Sequence, residues 1–251
     1  MNNRVSCLAA VLLAVFVLLS SATSQAENRG DTLLKEVDQQ MNPTSYETYF
    51  QIINKMPNGK ENRITAYSAK QGDGKAVVLI VAPQELQGRA VLRRGEEVWT
   101  HFPGETKLRQ STLRHAFIGG VFNNIDYLAT SFAIDHQARL IKEDKKQFIL
   151  ELTPKTDDIP YRSIELVVDK KSMRPVKLVQ FASPGVVIKT VTFDHSRLSK
   201  DGKTVLTAIK TEAEANRLYR SIIQTGNTKE REFPNSTFTK ELLPRLGSIM
   251  R

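Results

Sequence analysis

The chain has 251 residues, 40% of them hydrophobic, and 36 Lys and Arg against 27 Asp and Glu give it a formal net charge of +9. Its one cysteine, Cys7, excludes an intramolecular disulfide and a thiolate metal cluster. An excess of positive charge points to nucleic acid in a cytoplasmic protein, but the N-terminus argues for export, which excludes that partner.

Arg4 supplies a short positive region, Leu8 to Leu19 is an unbroken apolar run, and Ser20 to Ala26 is small and polar. Ser24 and Ala26 occupy the two positions a signal peptidase reads. The apolar run is too short to span a bilayer, so the expectation is a signal peptide over residues 1–26, cleaved after Ala26. The mature chain, residues 27–251, is then expected in the periplasm as one domain of charge +8, because only Arg4 is lost. No Cys follows the run, so no lipid-modified N-terminus is expected. A basic surface there suits anionic lipid headgroups or an acidic protein patch, and serves solubility equally well.

In chain order, Asp31 to Met41 reads as an amphipathic helix. Leu33, Leu34, Val37 and Met41 fall on one side, Asp31 is placed as N-cap, and Asn42-Pro43 ends it. From Ser45 the period becomes two: Tyr46, Thr48, Phe50 and Ile52 share one face, Glu47 and Gln51 the other. Pro57-Asn58-Gly59 turns the chain into Arg63 to Ala69, and Gly72-Asp73-Gly74 turns it into Ala76 to Val81. Further strands are expected at Val98–Phe102, Phe132–Ile141, Gln147–Thr153, Ser163–Val168, Val176–Ala182, Val186–Phe193, Val205–Glu212 and Leu218–Thr225. Turns separate them at Arg94-Gly95, Pro103-Gly104, Asp157-Asp158, Pro184-Gly185, Asp201-Gly202 and Gly226-Asn227. Ser111 to Thr130 lacks alternation and reads as a loop with one or two short helices. Asn235-Ser236-Thr237 caps a short helix through Leu243, stopped by Pro244. About eleven short strands joined by tight turns make an antiparallel meander, closed or nearly so.

Several strands are apolar on both faces. Val77, Leu79 and Val81 oppose Ala76, Val78 and Ile80, while Val186 and Ile188 oppose Val187, Val191 and Phe193, interrupted by Lys189. Both faces then need cover. Three short helical pieces cover one face in part, and a sheet curled around them would enclose an apolar hollow of the kind that holds apolar ligands. A β-sandwich with no cavity satisfies the same periodicity, and the two stay open on periodicity alone.

Gly88-Arg89-Ala90-Val91-Leu92, then Val98-Trp99-Thr100-His101-Phe102-Pro103, then Lys107-Leu108-Arg109, resembles the outer-membrane lipoprotein-sorting (LolA-like) proteins. In these a strand ending in Leu precedes a Trp-x-x-x-Pro strand end and a basic strand. Phe117 and Gly119 to Tyr127 stand where that family has a Phe, then Gly-Ser-Asp-Phe and a short acidic helix. Arg174-Pro175-Val176-Lys177 and the hairpin ending in Ile188-Lys189 resemble its second half. Val121 replaces the usual Asp, and Asn124-Ile125 replaces the aromatic–acidic pair. The resemblance implies a mainly β (α+β) fold, a curved antiparallel half-barrel of about eleven strands covered by a few short helices. It implies an apolar cavity that receives acyl chains, and hence a periplasmic carrier or chaperone moving a lipoprotein or lipid towards the outer membrane. An inner-membrane transporter, an outer-membrane acceptor and a monomeric state go with that reading. The alternative is a non-enzymatic accessory or sensor module that binds a membrane exporter or regulator.

Phe50, Ile52, Val78, Ile80, Leu92, Trp99, Phe102, Val179 and Phe181 are the candidate cavity residues. Alternation confines each to one face without saying which, and each also suits plain core packing. Phe117, Phe122 and Tyr127, in the segment that breaks the rhythm, are lid candidates. Lys107, Arg109 and Arg114 are headgroup candidates. Trp99 also suits a hairpin anchor before the Pro103-Gly104 turn. Catalysis has little sequence support. His101, His115, His136 and His195 are scattered without a His-x-x-x-His pair, and Gly-x-Ser-x-Gly, a phosphate loop and a mature Cys nucleophile are missing. No enzyme activity, metal or cofactor is expected.

Overall fold

The structure is a computed structural model that describes residues 29–41, 43–72, 74–195, 197–198, 204–205, 208–213 and 216–249. The expected signal peptide, residues 1–26, and the Asp201-Gly202 turn lie outside the described residues. Residues 29–41 form helix α1, in which Leu34 and Val37 are fully buried and Leu33 and Met41 pack beside them. The helix begins before the expected N-cap. Asp31 lies inside it, and its carboxylate instead accepts the Ala138 backbone N–H at 2.7 Å. The approach is so close that a Cβ on Gly30 would sit 2.2 Å from the Ala138 carbonyl oxygen, so only glycine fits there.

The strands are β1 (Ser45–Lys55), β2 (Glu61–Gln71), β3 (Lys75–Ala82), β4 (Ala90–Arg94), β5 (Glu97–His101) and β6 (Arg109–Ser111). After helices α2 (Asn124–Leu128) and α3 (Phe132–Asp135) come β7 (His136–Glu143), β8 (Gln147–Pro154), β9 (Ser163–Asp169), β10 (Arg174–Ser183) and β11 (Val186–Asp194). A small hairpin, β12 (Arg197–Leu198) and β13 (Thr204–Val205), precedes β14 (Ala208–Ala213), β15 (Asn216–Thr225) and β16 (Lys229–Glu230). Two 3-10 turns, Asn235–Phe238 and Leu243–Arg245, and helix α4 (Leu246–Ile249) follow.

The main sheet runs β6-β5-β4-β3-β2-β1-β15-β14-β11-β10-β9-β8-β7, with β16 beside β1. Each wing is a meander, and the pairing of β1 with β15, Phe50 opposite Thr225 and Ile52 opposite Ile223, joins them. The end strands β6 and β7 do not pair, so the sheet is an open half-barrel rather than a closed barrel or a sandwich. The main sheet holds 14 strands rather than the expected eleven or so. The surplus consists of β6 and β16, three and two residues long, and the five-residue β4, all too short to show a clear period. Phe132 to Asp135, expected as strand, is a helical turn, because the Ser131 hydroxyl accepts the Ile134 N–H and Asp38 accepts the N–H groups of Phe132 and Ala133.

Two apolar clusters lie on opposite faces of the sheet. On the inner face Ile52, Ile64, Val78, Ile80 and Val91 from one wing join Leu150, Leu152, Ile164 and Leu166 from the other, under Leu34, Val37 and Leu128 of the helices. On the outer face Tyr67, Val77, Leu79, Ala90 and Leu92 are covered by Phe238, Leu243 and Leu246 of the C-terminal segment. This corrects the account of the two-faced strands: the second apolar face is not what creates a hollow, since the chain's own C-terminus covers it. Trp99 belongs to this outer cluster, with Lys240 Nζ lying 3.7 Å from its ring centroid.

Phe238 is 1% exposed and wedged between Phe233, 5.7 Å away ring to ring, and the sheet. Phe238→Ala is expected to lower stability by about 3–5 kcal/mol, whereas Lys240→Ala costs about 1 kcal/mol or less, both read by urea unfolding. Equal losses would show that the C-terminal segment is not held by its apolar face.

Candidate functional site

Between the inner face and its helical cover lies a cavity of about 810 Å³, within the range of small-molecule sites. Its floor follows strand alternation. Tyr46, Thr48 and Phe50 of β1 share one face, and Ser68 and Lys70 of β2 lie opposite Thr48 and Tyr46. Ile164 of β9, Leu178 and Gln180 of β10, Val191 and Phe193 of β11 and Ile223 of β15 form the other wall. The roof is Asp38 to Met41 of α1, Phe122, then Ile125, Asp126 and Tyr127 of α2, Ala129 to Ser131, and Phe132 and Asp135 of α3, with His136.

Polar anchors hold the roof at both sides. Asp126 of α2 pairs with Lys189 of β11 at 2.6 Å, although Lys189 is only 3% exposed and Asp126 11%. Lys189 also donates to the Val121 carbonyl at 3.0 Å and meets the Tyr161 hydroxyl, and its ammonium lies 4.9 Å from the Tyr161 ring centroid. Tyr161 lies 3.2 Å from both Asp126 oxygens, and the Asn123 N–H donates to Asp126 at 2.7 Å. On the other side Asp135 of α3 receives both terminal nitrogens of Arg93, Nη1 at 2.9 Å, while Arg93 Nε donates to the Gly95 carbonyl at 2.8 Å. Lys70 Nζ donates to the Ala129 carbonyl at 2.7 Å. Asp38 accepts from Phe132 N at 2.8 Å and Ala133 N at 2.9 Å, tying α1 to α3.

Burial dominates the proton equilibria here. It pushes the Lys70 ammonium down to about 7, helped by the Arg93 charge and opposed by Asp135. Burial raises the Asp38 carboxyl against the two backbone N–H groups that hold it low. Burial likewise raises the Tyr161 hydroxyl, with Asp126 adding to the effect, and raises that of Tyr127. Burial lowers His136. Its Nδ1 sits 3.2 Å from the Phe132 carbonyl, which can only accept, so Nδ1 carries the proton and Nε2 is an acceptor. Ser68 Oγ, Thr130 Oγ1, His136 Nε2 and Gln180 Oε1 are buried without a partner, and all four residues line the cavity. The wall is therefore amphipathic. Among the described residues no three His, Cys, Asp or Glu side chains are grouped to hold a metal ion. A recess of about 470 Å³ on the outside, lined by Lys75, Arg94, Asn235, Ser236, Phe238 and Thr239, has only Phe238 to offer an acyl chain.

Among the cavity candidates, Phe50 lines the space. Ile52, Val78 and Ile80 share its face but are consumed in the inner core. Leu92 and Trp99 lie on the outer face. Val179 and Phe181 alternate with the cavity-lining Leu178 and Gln180 and do not line it, and Phe102 is half-buried beyond β5, 6.2 Å ring to ring from Phe117. Of the lid candidates, Phe122 and Tyr127 are buried in the roof, whereas Phe117 is half-buried outside it. The headgroup candidates sit elsewhere: Lys107 is exposed, Arg109 is exposed and paired with Glu105 at 2.8 Å through Nε, and Arg114 donates to the Asp157 carbonyl. The cations at the cavity are Lys70, Arg174 and, in its wall, Lys189. Their signal was present in the sequence as polar residues in phase with an apolar stripe: Thr48 beside Phe50, Lys189 beside Val187 and Val191.

No curated protein matches the sequence. Among solved structures, the chain is similar to a LolA superfamily protein from Nitrosomonas europaea (TM-score 0.77, 22% identity, covering 84% of this chain and 98% of that one). It is also similar to a putative outer membrane lipoprotein-sorting protein domain from Vibrio parahaemolyticus (0.75, 16%, 87% and 100%). A DUF1329 family protein from Desulfovibrio piger aligns as well (0.71, 18%, 87% and 99%). The fold is thus that of the LolA superfamily. Residues 72–245 match the model of the protein family described as "Uncharacterized protein", and the chain belongs to that family.

Proposed function

We propose that this chain is a non-enzymatic periplasmic carrier that shields acyl chains in the cavity beneath α1, α2 and α3 while a lipid or lipoprotein moves towards the outer membrane. The observation that carries the reading is the space itself, about 810 Å³ between sheet and roof, faced by Phe50, Phe122, Ile125, Leu178, Val191 and Ile223. A sixteen-carbon chain gains roughly 12 kcal/mol on leaving water, at about 0.8 kcal/mol per methylene. A carrier must recover much of that and still let go. A roof of short helices, five residues in α2 and four in α3, packed on the core through Ile125 and Leu128 and tied to the sheet by discrete hydrogen bonds, suits both demands. The signal-peptide pattern of residues 1–26, the positive net charge and the LolA fold agree with work beside membranes. Delivery partners, a donor transporter in the inner membrane and an acceptor at the outer one, belong to this proposal. The absence of a recognisable catalytic motif in the sequence, and the use of Asp126, Lys189, Asp135 and Arg93 in structural pairs, support binding rather than turnover.

Organic extracts of protein purified from its native compartment without detergent are expected to contain acyl lipid in near-stoichiometric amount by mass spectrometry. Lipid-free protein that also ignores added fluorescent acyl probes would remove the carrier reading; a stable complex with a membrane protein, formed without lipid, would favour an accessory role instead. The cavity is also separable from the remaining apolar surface. Phe132 and Phe193 line it and are half-buried, while Phe181 is equally half-buried and does not line it. Phe132→Ala and Phe193→Ala are each expected to weaken acyl-probe binding about tenfold, from about 1.5 kcal/mol of lost burial at half-buried positions, with Phe181→Ala near wild type. Equal effects at all three positions would argue that probes bind elsewhere.

A further inference from the structure

The polar groups of the cavity are unevenly placed. Across the sheet, Arg93 on β4 lies opposite Ala76 on β3, Ala76 opposite Lys70 on β2, and Lys70 opposite Tyr46 on β1. Two residues along, the row is Val78, Ser68 and Thr48; two further on, it is Ile80, Ala66 and Phe50; then Ile64, Ile52 and Ile223. At about 3.4 Å per residue, the inner face passes from cationic to wholly apolar within about 20 Å.

At the cationic end one charge has no counter-ion. Arg93 and Asp135 neutralise one another, and both Asp38 oxygens are taken by backbone N–H groups. Lys70 forms a single hydrogen bond, to the neutral Ala129 carbonyl, and no ion pair among the described residues involves it. An ammonium has three donors, so two remain. Ser68, two residues away on the same face, is 0% exposed with its hydroxyl unpartnered. Thr130 follows the residue that Lys70 grips, and its hydroxyl is also unpartnered. All three side chains line the cavity. A half-buried ammonium on the same wall as two idle hydroxyls leaves donors unsatisfied, and an oxyanion would satisfy all three groups together.

We propose that Ser68, Lys70 and Thr130 form a headgroup subsite for the carboxylate of a single-chain acyl ligand, whose chain lies along β1 and β2 towards Phe50 and Ile223. The proposal rests on the carrier reading and narrows its ligand class. One carboxylate oxygen takes the Lys70 ammonium and the other the hydroxyls. The shared chemistry is a terminal oxyanion on an alkyl chain; the one uncompensated cation among these three residues matches the single charge of a carboxylate better than a phosphate monoester. Burial lowers the Lys70 ammonium to about 7, and a bound anion would favour its charged form.

The test is binding of cis-parinaric acid and of its methyl ester to the full mature chain, followed by fluorescence, with dodecanoate and dodecyl phosphate as competitors. Wild type is expected to bind the acid about tenfold more tightly than the ester, and in Lys70→Met the ratio of acid to ester affinity is expected to fall to about one. Ser68→Ala, expected to cost the acid a few-fold and the ester nothing, carries the test if Lys70→Met does not fold by circular dichroism. Equal affinity of wild type for acid and ester overturns the headgroup subsite and leaves the carrier reading standing. Failure of both probes overturns the two together. An acid preference that survives both substitutions overturns the assignment to these residues, and dodecyl phosphate competing better than dodecanoate overturns the choice of carboxylate.

Discussion

The roof of the cavity is pinned by charge at both sides as well as packed on the inner core through Leu34, Val37 and Leu128. An apolar segment laid over an apolar sheet sinks until side chains interdigitate and the space between them closes. Here two carboxylates of the roof, Asp126 and Asp135, meet buried cations of the sheet, Lys189 and Arg93. These contacts are short and directional, and sliding off either one strands a desolvated charge, at a cost of about 3–5 kcal/mol. The roof is thereby held at a fixed height over both wings. Asp38, bonded to the N-terminus of α3, and Asp31, bonded to β7, bring α1 into the same frame.

That arrangement also explains why so much polarity sits in a face built to be apolar. Thr48, Ser68, Lys70, Gln180 and Lys189 all fall in phase with buried apolar positions of their strands. Replaced by Val or Leu, they would fill the hollow and strengthen the core. Kept polar, they hold the roof through Lys70 and Lys189, or stand idle, as the Ser68 hydroxyl and Gln180 Oε1 do. A protein optimised only for stability would not leave four buried polar atoms without partners around one space.

How far the sequence carried these conclusions follows from the range of the forces involved. Alternation and turn chemistry are local, so β1 to β3, β8 to β11 and α1 could be read directly. The mixed character of the inner stripe was visible too, as Lys189 amid valines. Partnership across long separations was not: Asp126 and Lys189 are 63 residues apart, and Arg93 and Asp135 are 42 apart. Alternation gives two faces without naming them, so Leu92 and Trp99 could not be told from Phe50. The helical turn at Phe132 was hidden because two of its three capping hydrogen bonds come from Asp38, 94 residues before Phe132. The family resemblance supplied the half-barrel; the charged pins departed from the plain apolar hollow it implied.

The C-terminal segment makes the two wings unequal. β3 is buried on both faces because Phe238, Leu243 and Leu246 cover its outer side. β8 and β9 alternate strictly between buried and partly exposed positions, and near that wing Ile141 and Val186 stand 40% and 53% exposed. Separating the roof from the clamped β2–β5 wing would strain strands held on both sides. Separating it from the β7–β11 wing disturbs strands held on one side only. Local opening is cheapest where the fewest buried contacts are lost, and on that wing the strongest remaining tie is the Lys189–Asp126–Tyr161 cluster. For the carrier proposed above, a hollow that holds and surrenders an apolar cargo needs one firm wall and one that yields, and covering only half of the outer face provides that difference.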